Sequence, residues 1–222
     1  MFHSLQVSLS QGIQVLDMSL NDIQQNQLLK YLELLAKWNK TYNLTAVRDP
    51  KKMFTHHLLD SLAAIKPLQR QTSGRKITLL DAGSGGGLPG VVIAICCPEV
   101  EVTCIDAVAK KVAFIRQVAG ILDLQNLHMR HARVQTITEP FDVIISRAFA
   151  SLADFVHWST SALEKGGVWL AMKGKNPAEE IAQLPASVEV FHVEQLNVPK
   201  LDMDRCLVWI RPSSLSKNER QQ

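Results

Sequence analysis

The chain has 222 residues, 46% apolar and 20% charged, which suits a soluble globular protein with one sizeable core. It opens with no charged-then-apolar leader, and its longest apolar run, Val91 to Cys97, is too short to span a bilayer, so the cytoplasm is the expected compartment and no membrane is implied. The net charge of +3 does not by itself argue for nucleic acid, but residues 1–76 hold 10 Lys and Arg against 5 Asp and Glu, while residues 77–222 hold 14 against 16. A basic front half fits a phosphate-bearing partner and a solvated surface equally.

In chain order, Ser19 is the first candidate helix cap, with Asp22 in the following turn. Leu28, Leu32 and Leu35 then give a helical apolar stripe to about Lys40, which YNLT breaks. Pro50 suits the first turn of a second helix, KKMFTHHLLDSLAAI, which ends before Pro67. The polar LQRQTSGRK reads as a linker, closing a helical extension over residues 1–76.

From Ile77 the pattern alternates. Strands are expected at 77–81, 100–106, 126–131, 141–147 and 167–173. Between them lie VVIAICC, a helix with Val112, Ile115, Ala119 and Leu122 on one face, and SLADFVHWSTSALEK. Strands separated by such helices predict a parallel sheet covered on both faces over residues 77–222. A short helix near 177–184 precedes VEVFHVEQLNV and RCLVWIRP, two β-rich runs that pair as an antiparallel hairpin on the sheet edge. The expected class is α/β.

The first strand runs into DAGSGGGLPG, Asp81 to Gly90. Gly85, Gly87 and Gly90 spell G-x-G-x-x-G, while Asp81, Gly83, Gly85 and Gly87 spell D-x-G-x-G-x-G. A glycine loop after the first strand of a doubly wound sheet lies where ligands bind. In a dehydrogenase it admits a pyrophosphate at a helix start. Asp81 would disfavour that anion and favour the amine and sulfonium charges of S-adenosylmethionine. Asp106, ending the second strand, suits the ribose hydroxyls of either NAD or S-adenosylmethionine; capping the next helix is its plainer role. The C-terminal hairpin tips the choice toward a seven-stranded methyltransferase sheet.

DAGSGGGLPG, KWNKTYNLTAVRDP, HHLLDSLAA, FDVIISRAFASL and AMKGK together resemble the ribosomal RNA small subunit methyltransferase G family (RsmG, or glucose-inhibited division protein B). The resemblance runs from about Leu28 to Ile210. It implies a class I methyltransferase fold and transfer of a methyl group from S-adenosylmethionine to N7 of guanine 527 in bacterial 16S rRNA. It also implies cofactor contacts at Gly83, Leu88, Val134, Gln135 and Arg147. Many members carry an acid where this chain has Gln135, a departure from the family pattern that leaves a backbone amide at 134–135, rather than the side chain, to meet the adenine edge.

The end of the fourth strand should face the methyl donor. Exocyclic-amine methyltransferases place a D/N-P-P-Y/F turn there, and this chain has Ser146-Arg147-Ala148-Phe149. Pyrimidine-carbon methylation needs a nucleophilic Cys in this region, and Cys96, Cys97, Cys104 and Cys206 lie elsewhere among apolar neighbours, where buried thiols are expected. Guanine N7 needs neither device, so no acid/base residue is assigned.

Several residues keep two readings. Arg147 faces the site or pairs with an acid, and Lys173 and Lys175 meet RNA phosphate or solvent. Phe149 stacks on the target base or packs in the core. Arg48, Lys51 and Lys52 make a basic helix entry near phosphate. His56 and His57 lack a matching cluster for a metal site, and Trp38 reads as core. The overall expectation is a monomeric rRNA methyltransferase acting on 16S rRNA or the small subunit. An NAD-dependent oxidoreductase and a non-catalytic rRNA-binding assembly factor are the alternatives.

Overall fold

Asn21, not Ser19, caps the long N-terminal helix. In the computed structural model, which describes residues 5–174 and 177–213, helix α2 (Asp22–Tyr42) begins with a complete capping box. The Asn21 side chain accepts from the Gln24 amide at 2.9 Å, and the Gln24 side chain accepts from the Asn21 amide at 3.1 Å. Asn21 is the residue three positions before a Gln, which Ser19 is not. A preceding helix, α1 (Leu5–Val15), was not legible in the apolar spacing; it buries only Leu9, Gly12 and Ile13. Asn43, in the left-handed conformation at φ 50°, ends α2 where YNLT was expected to break it.

The second expected helix is segmented. Asp49 caps α3 (Pro50–Met53) by accepting from the Lys51 amide, and Pro50 occupies the first turn. The chain then widens into a π-helix over Phe54–Leu59 before α4 (Asp60–Leu62). Pro67 does not end it. Instead α5 (Ile65–Thr72) carries Pro67 in its first turn, where a missing N–H leaves no intrahelical bond unmade. The segment read as a linker is therefore mostly helix, and the turn into the sheet is confined to Ser73 and Gly74, both at positive φ.

Seven strands form one sheet in the order β3-β2-β1-β4-β5-β7-β6. They are β1 (Ile77–Ala82), β2 (Val100–Asp106), β3 (Leu127–His131), β4 (Phe141–Arg147), β5 (Leu163–Lys173), β6 (Val188–Gln195) and β7 (Cys206–Pro212). The first five are parallel; β7 pairs antiparallel with both β5 and β6. Helices α6 (Gly90–Cys96), α7 (Ala109–Leu122), α8 (Leu152–Ser159) and α9 (Ala178–Ala182) connect them. Strand β5 starts at Leu163, so it takes over the end of the helix expected across 151–165.

Each face of the sheet is covered. On one side Leu79, Val102 and Cys104 pack with α6, α7 and the N-terminal helices. On the other, Leu80, Ile105, Ile144 and Trp169 pack with Phe155 and Val156 of α8. Trp38 is half-buried against Phe114 of α7, with ring centroids 5.4 Å apart. Strand order reverses between β1 and β4, so the carboxyl ends of these neighbours frame the crevice where doubly wound sheets bind ligands. Among the described residues no helix is long and apolar enough to cross a membrane.

Candidate functional site

The glycine loop between β1 and α6 is gripped from three sides. Gly83, Gly85 and Gly87 have φ of 70°, 58° and 86°, a region that L side chains rarely adopt. The Ser84 amide donates to the Ile105 carbonyl of β2 at 2.9 Å. The Gly85 amide donates to Asp106 Oδ2 at 3.0 Å. From the N-terminal helices, the buried Tyr31 hydroxyl donates to the Gly86 carbonyl at 2.7 Å.

Asp81 lies behind this loop, with no exposed surface. Its Oδ2 accepts from the Gly90 amide at 2.8 Å, while Oδ1 has no hydrogen-bond partner. Burial pushes the carboxyl up to about 7, against the smaller opposing effect of the Gly90 hydrogen bond. A Cβ on Gly90 would stand 2.4 Å from Cys104 Sγ and 2.7 Å from Asp81 Oδ2, so only glycine lets α6 start this close to β1. All four cysteines are buried, and burial drives the thiols upward, Cys97 to about 12.

In front of the loop is a cavity of about 550 Å³. Gly83, Ser84, Gly85, Gly86 and Leu88 form its floor, and Arg147, Ala148, Met172 and Lys173 at the ends of β4 and β5 form a wall. Thr45 and Val47 close the side toward α2, held by Asn39, which accepts from the Thr45 amide at 2.8 Å and donates to the Val47 carbonyl at 3.0 Å. His57 is buried there. Burial and the Arg147 charge lower it to about 4, so its neutral ring accepts from Thr45 Oγ1 across 2.7 Å and donates from Nδ1 to the His56 carbonyl.

Of the residues singled out in the sequence, Gly83, Gly85, Leu88, Arg147 and Lys173 line this cavity. Gly87 does not; a Cβ there would meet Val91 at 2.5 Å. Asp106 sits just behind Gly85, 6% exposed. It accepts from the Gly85 amide through Oδ2 and from the Val108 amide, at 2.9 Å, through Oδ1, with Lys111 Nζ 3.4 Å away. The helix-capping expectation fails: the N-cap of α7 is Val108 and no side chain caps that helix, so Asp106 instead closes a turn on the Val108 amide through Oδ1 and braces the glycine loop through Oδ2. Val134 is buried in a 3₁₀ turn (Val134–Thr136), Gln135 beside it is exposed, and neither lines the cavity.

Arg147 pairs with an acid, but a buried one: it donates to Asp60 Oδ2 at 3.1 Å and to the His56 carbonyl at 3.0 Å. Phe149 stands over Gly83, where a Cβ would come within 2.3 Å of its ring, and meets Trp158 edge-on. Ala148 between them has φ 52°, a strained conformation at the cavity rim. Lys173 Nζ donates to the Ala150 carbonyl and to Glu180, which pins this loop. Arg48, Lys51 and Lys52 are exposed at the entry to α3, and Arg48 donates to Asn43. Lys175 lies outside the described residues. Tyr31, Asp60, Lys111 and Arg205 join the site without having been singled out; only Asp60 left a trace, as an acid inside the apolar HHLLDSLAA.

Comparison with known proteins agrees in kind. The family profile described as rRNA small subunit methyltransferase G matches residues 24–208. The ribosomal RNA small subunit methyltransferase G of Polaromonas sp. strain JS666 is 63% identical over 215 residues, spanning 95% of each chain. That of Acidovorax ebreus is 61% identical over 217 residues, spanning 94% of this chain and 96% of its own. Among solved structures, the 1,6-didemethyltoxoflavin-N1-methyltransferase of Burkholderia thailandensis, with S-adenosylhomocysteine bound, superposes with a TM-score of 0.56 at 14% identity over 83% of this chain and 90% of its own. TrmN from Thermus thermophilus gives 0.53 at 17% identity over 67% and 48%. These two likenesses concern the fold alone.

Proposed function

The chain belongs to the rRNA small subunit methyltransferase G family, and from that premise we propose that it methylates N7 of guanine 527 in bacterial 16S rRNA. The observation that carries the reading is Gly85: a glycine at φ 58° whose missing side chain would point into open space at the crevice between β1 and β4. A backbone kept bare on its open side suits a ligand lying directly against it.

The residues present fit S-adenosylmethionine, the family's methyl donor. Gly83, Gly85 and Leu88 offer it a floor, Asp106 stands at the end of β2 for ribose hydroxyls, and the amides at Val134 and Gln135 are the candidates for the adenine edge. Asp81 supports this less directly than its sequence position implies. It is sealed behind the loop, and burial keeps its carboxyl protonated through much of the acid range, so it shapes the loop rather than presenting a free charge.

Bound there, S-adenosylmethionine supplies an electrophilic methyl group on a sulfonium. For the rest, guanine N7 has an in-plane lone pair, so no proton leaves before attack and no general base is required. The protein's contribution is to hold donor and acceptor in line and exclude water, and such positioning is worth several kcal/mol, on the order of 7 or more in well-oriented cases. The end of β4 suits that economy. It carries Ser146-Arg147-Ala148-Phe149, with no amine-binding turn, and the cysteines are buried rather than displayed. We assign the protein to the cytoplasm, as a monomer acting on 16S rRNA within the small subunit or its precursor.

The test is incubation with tritiated S-adenosylmethionine and 16S rRNA lacking the modification, either naked or in 30S particles. Label should enter at guanine 527. It should stop when that base is replaced by 7-deazaguanine, which keeps the Watson–Crick edge and substitutes carbon for N7. Label entering the 7-deaza substrate at the same nucleotide would mean that another atom accepts the methyl group.

A further inference from the structure

Asp60 stands inside the wall of the cavity, 3% exposed, and each of its two oxygens holds a different arginine. Oδ1 accepts from Arg205 Nε at 2.8 Å and Oδ2 from Arg147 at 3.1 Å. The three residues come from α4, from the end of β4 and from the residue just before β7, so nothing local brings them together. Both guanidiniums line the cavity, and their side chains are only 16% exposed.

The charges here do not cancel. Lys173 is matched by Glu180, and Lys111 by Asp106. Two arginines share this single carboxylate, and the other acid that senses Arg147, Asp81, is sealed behind the loop with its carboxyl pushed up to about 7, so positive charge is in excess in a half-dry wall. An uncompensated charge in such a place is unfavourable unless an anion comes to meet it. Sheet order indicates which anion. Asp106, the ribose candidate, ends β2, on one side of the glycine loop, whereas Arg147 ends β4 and Arg205 immediately precedes β7, on the other. Arg147, in the strand next to β1, is the arginine nearer the cofactor candidates. Arg205, two strands further out, is on the part of the cavity wall away from the ribose candidate.

We propose that Asp60 is a positioning residue that ties the two halves of the site together: one oxygen fixes Arg147 beside the cofactor, and the other aims Arg205 at a backbone phosphate of the RNA that delivers the target base. This rests on the reading that the chain modifies rRNA. Arg205 suits the role because its fork keeps donors to spare after Nε is taken by Asp60 and one Nη1 hydrogen by the Asp204 carbonyl, and a guanidinium presents them in a plane that matches phosphate oxygens. A neutral residue at position 60 would leave Arg205 free to swing and would leave the two arginines repelling one another.

The experiment measures affinity for a 16S rRNA fragment containing the target loop, over a salt series, and affinity for S-adenosylhomocysteine by calorimetry. It uses the full chain and the variants Arg205→Gln, Asp60→Asn and their combination. Arg205→Gln should weaken RNA binding about 10- to 100-fold, the range of a charge-assisted bond, and lower the slope of log K against log salt by about 0.7. Its S-adenosylhomocysteine affinity should stay within about twofold. Asp60→Asn should weaken RNA binding without a parallel loss in the double variant, which should bind RNA no worse than Arg205→Gln alone. Should Asp60→Asn fail to fold, Arg205→Gln and the salt slope still decide the phosphate contact. RNA affinity unchanged in Arg205→Gln, or additive losses in the double variant, would overturn the proposal. Methyl transfer by the unaltered chain is scored separately: if it modifies guanine 527 while Arg205→Gln binds RNA normally, the proposed function stands and this inference falls.

Discussion

Replacing Gly85 by alanine separates what the loop needs for its own shape from what it keeps clear for a ligand. Three glycines in the loop have positive φ, but they differ in surroundings. A Cβ on Gly83 would collide with the Phe149 ring at 2.3 Å, and one on Gly87 with Val91 at 2.5 Å. At Gly85 the nearest heavy atom is the Gly83 carbonyl oxygen, 4.0 Å away, so the added methyl meets no protein. The folded chain then bears only the left-handed backbone penalty, about 1–2 kcal/mol. In a chain of this size that lowers Tm by about 2–4 °C for each kcal/mol. A ligand resting on the loop bears more. The intruding methyl overpacks the contact, which amounts to about 1–3 kcal/mol, or roughly 5- to 150-fold in affinity. Calorimetry with S-adenosylhomocysteine, paired with thermal unfolding of the ligand-free protein, reads both quantities. A Tm drop of the stated size with S-adenosylhomocysteine affinity unchanged within twofold would refute the loop as the cofactor floor.

Gly90→Ala should do the reverse, because its methyl has to displace Cys104 Sγ and Asp81 Oδ2; a loss of more than about 2 kcal/mol in denaturant unfolding is expected, and a near-neutral result would mean α6 can shift freely. Tyr31→Phe keeps the ring and removes the hydroxyl that satisfies the Gly86 carbonyl. It should destabilise by about 1–3 kcal/mol and weaken S-adenosylhomocysteine binding severalfold, and unchanged binding would show that the loop holds its shape without α2. Asp81 should leave a signature in the pH dependence of stability. Its folded carboxyl titrates at about 7 and the unfolded one at 3.8, so the contribution is fully present below about pH 4 and is lost as the pH rises through 7. In unfolding midpoints measured from pH 4 to 8, the wild type should decline relative to Asp81→Asn, and a flat difference would contradict the raised carboxyl.

The sheet was legible because most of its strands are short apolar runs and helices α6, α7 and α8 fall between them; β3 is polar, and only the 3₁₀ turn at Val134–Thr136 joins it to β4. ITLLDA and VEVTCID are continuous enough to admit no other reading once a glycine loop follows the first. Helix boundaries were less legible where two cues competed. Ser19 and Asn21 are both good caps, and only the reciprocal bond from Gln24 decides between them. Pro67 can stop one helix or start the next, and here it sits in the first turn of α5, after the turn at Ala63 and Ala64 that separates α4 from α5. At the site, glycines and strand ends show in sequence since their meaning is local. The bond from Asp60 to Arg205 spans 145 residues, and no spacing rule reaches that far. Tyr31 was likewise hidden, as a polar atom on an apolar stripe whose partner lies 55 residues on.

That 55-residue reach has a consequence for how the chain comes into being. Synthesis delivers α1 and α2 first, yet Gly86, α6 and α7, which cover the Leu28, Tyr31, Leu32 and Leu35 face, emerge only as translation passes residue 122. Until then the nascent chain carries α2 with the side that later meets α6 and α7 still bare, the kind of transiently exposed surface that chaperones attend to. The front of the protein is made early and finished late. Its helices wait on the ribosome for the sheet that completes them.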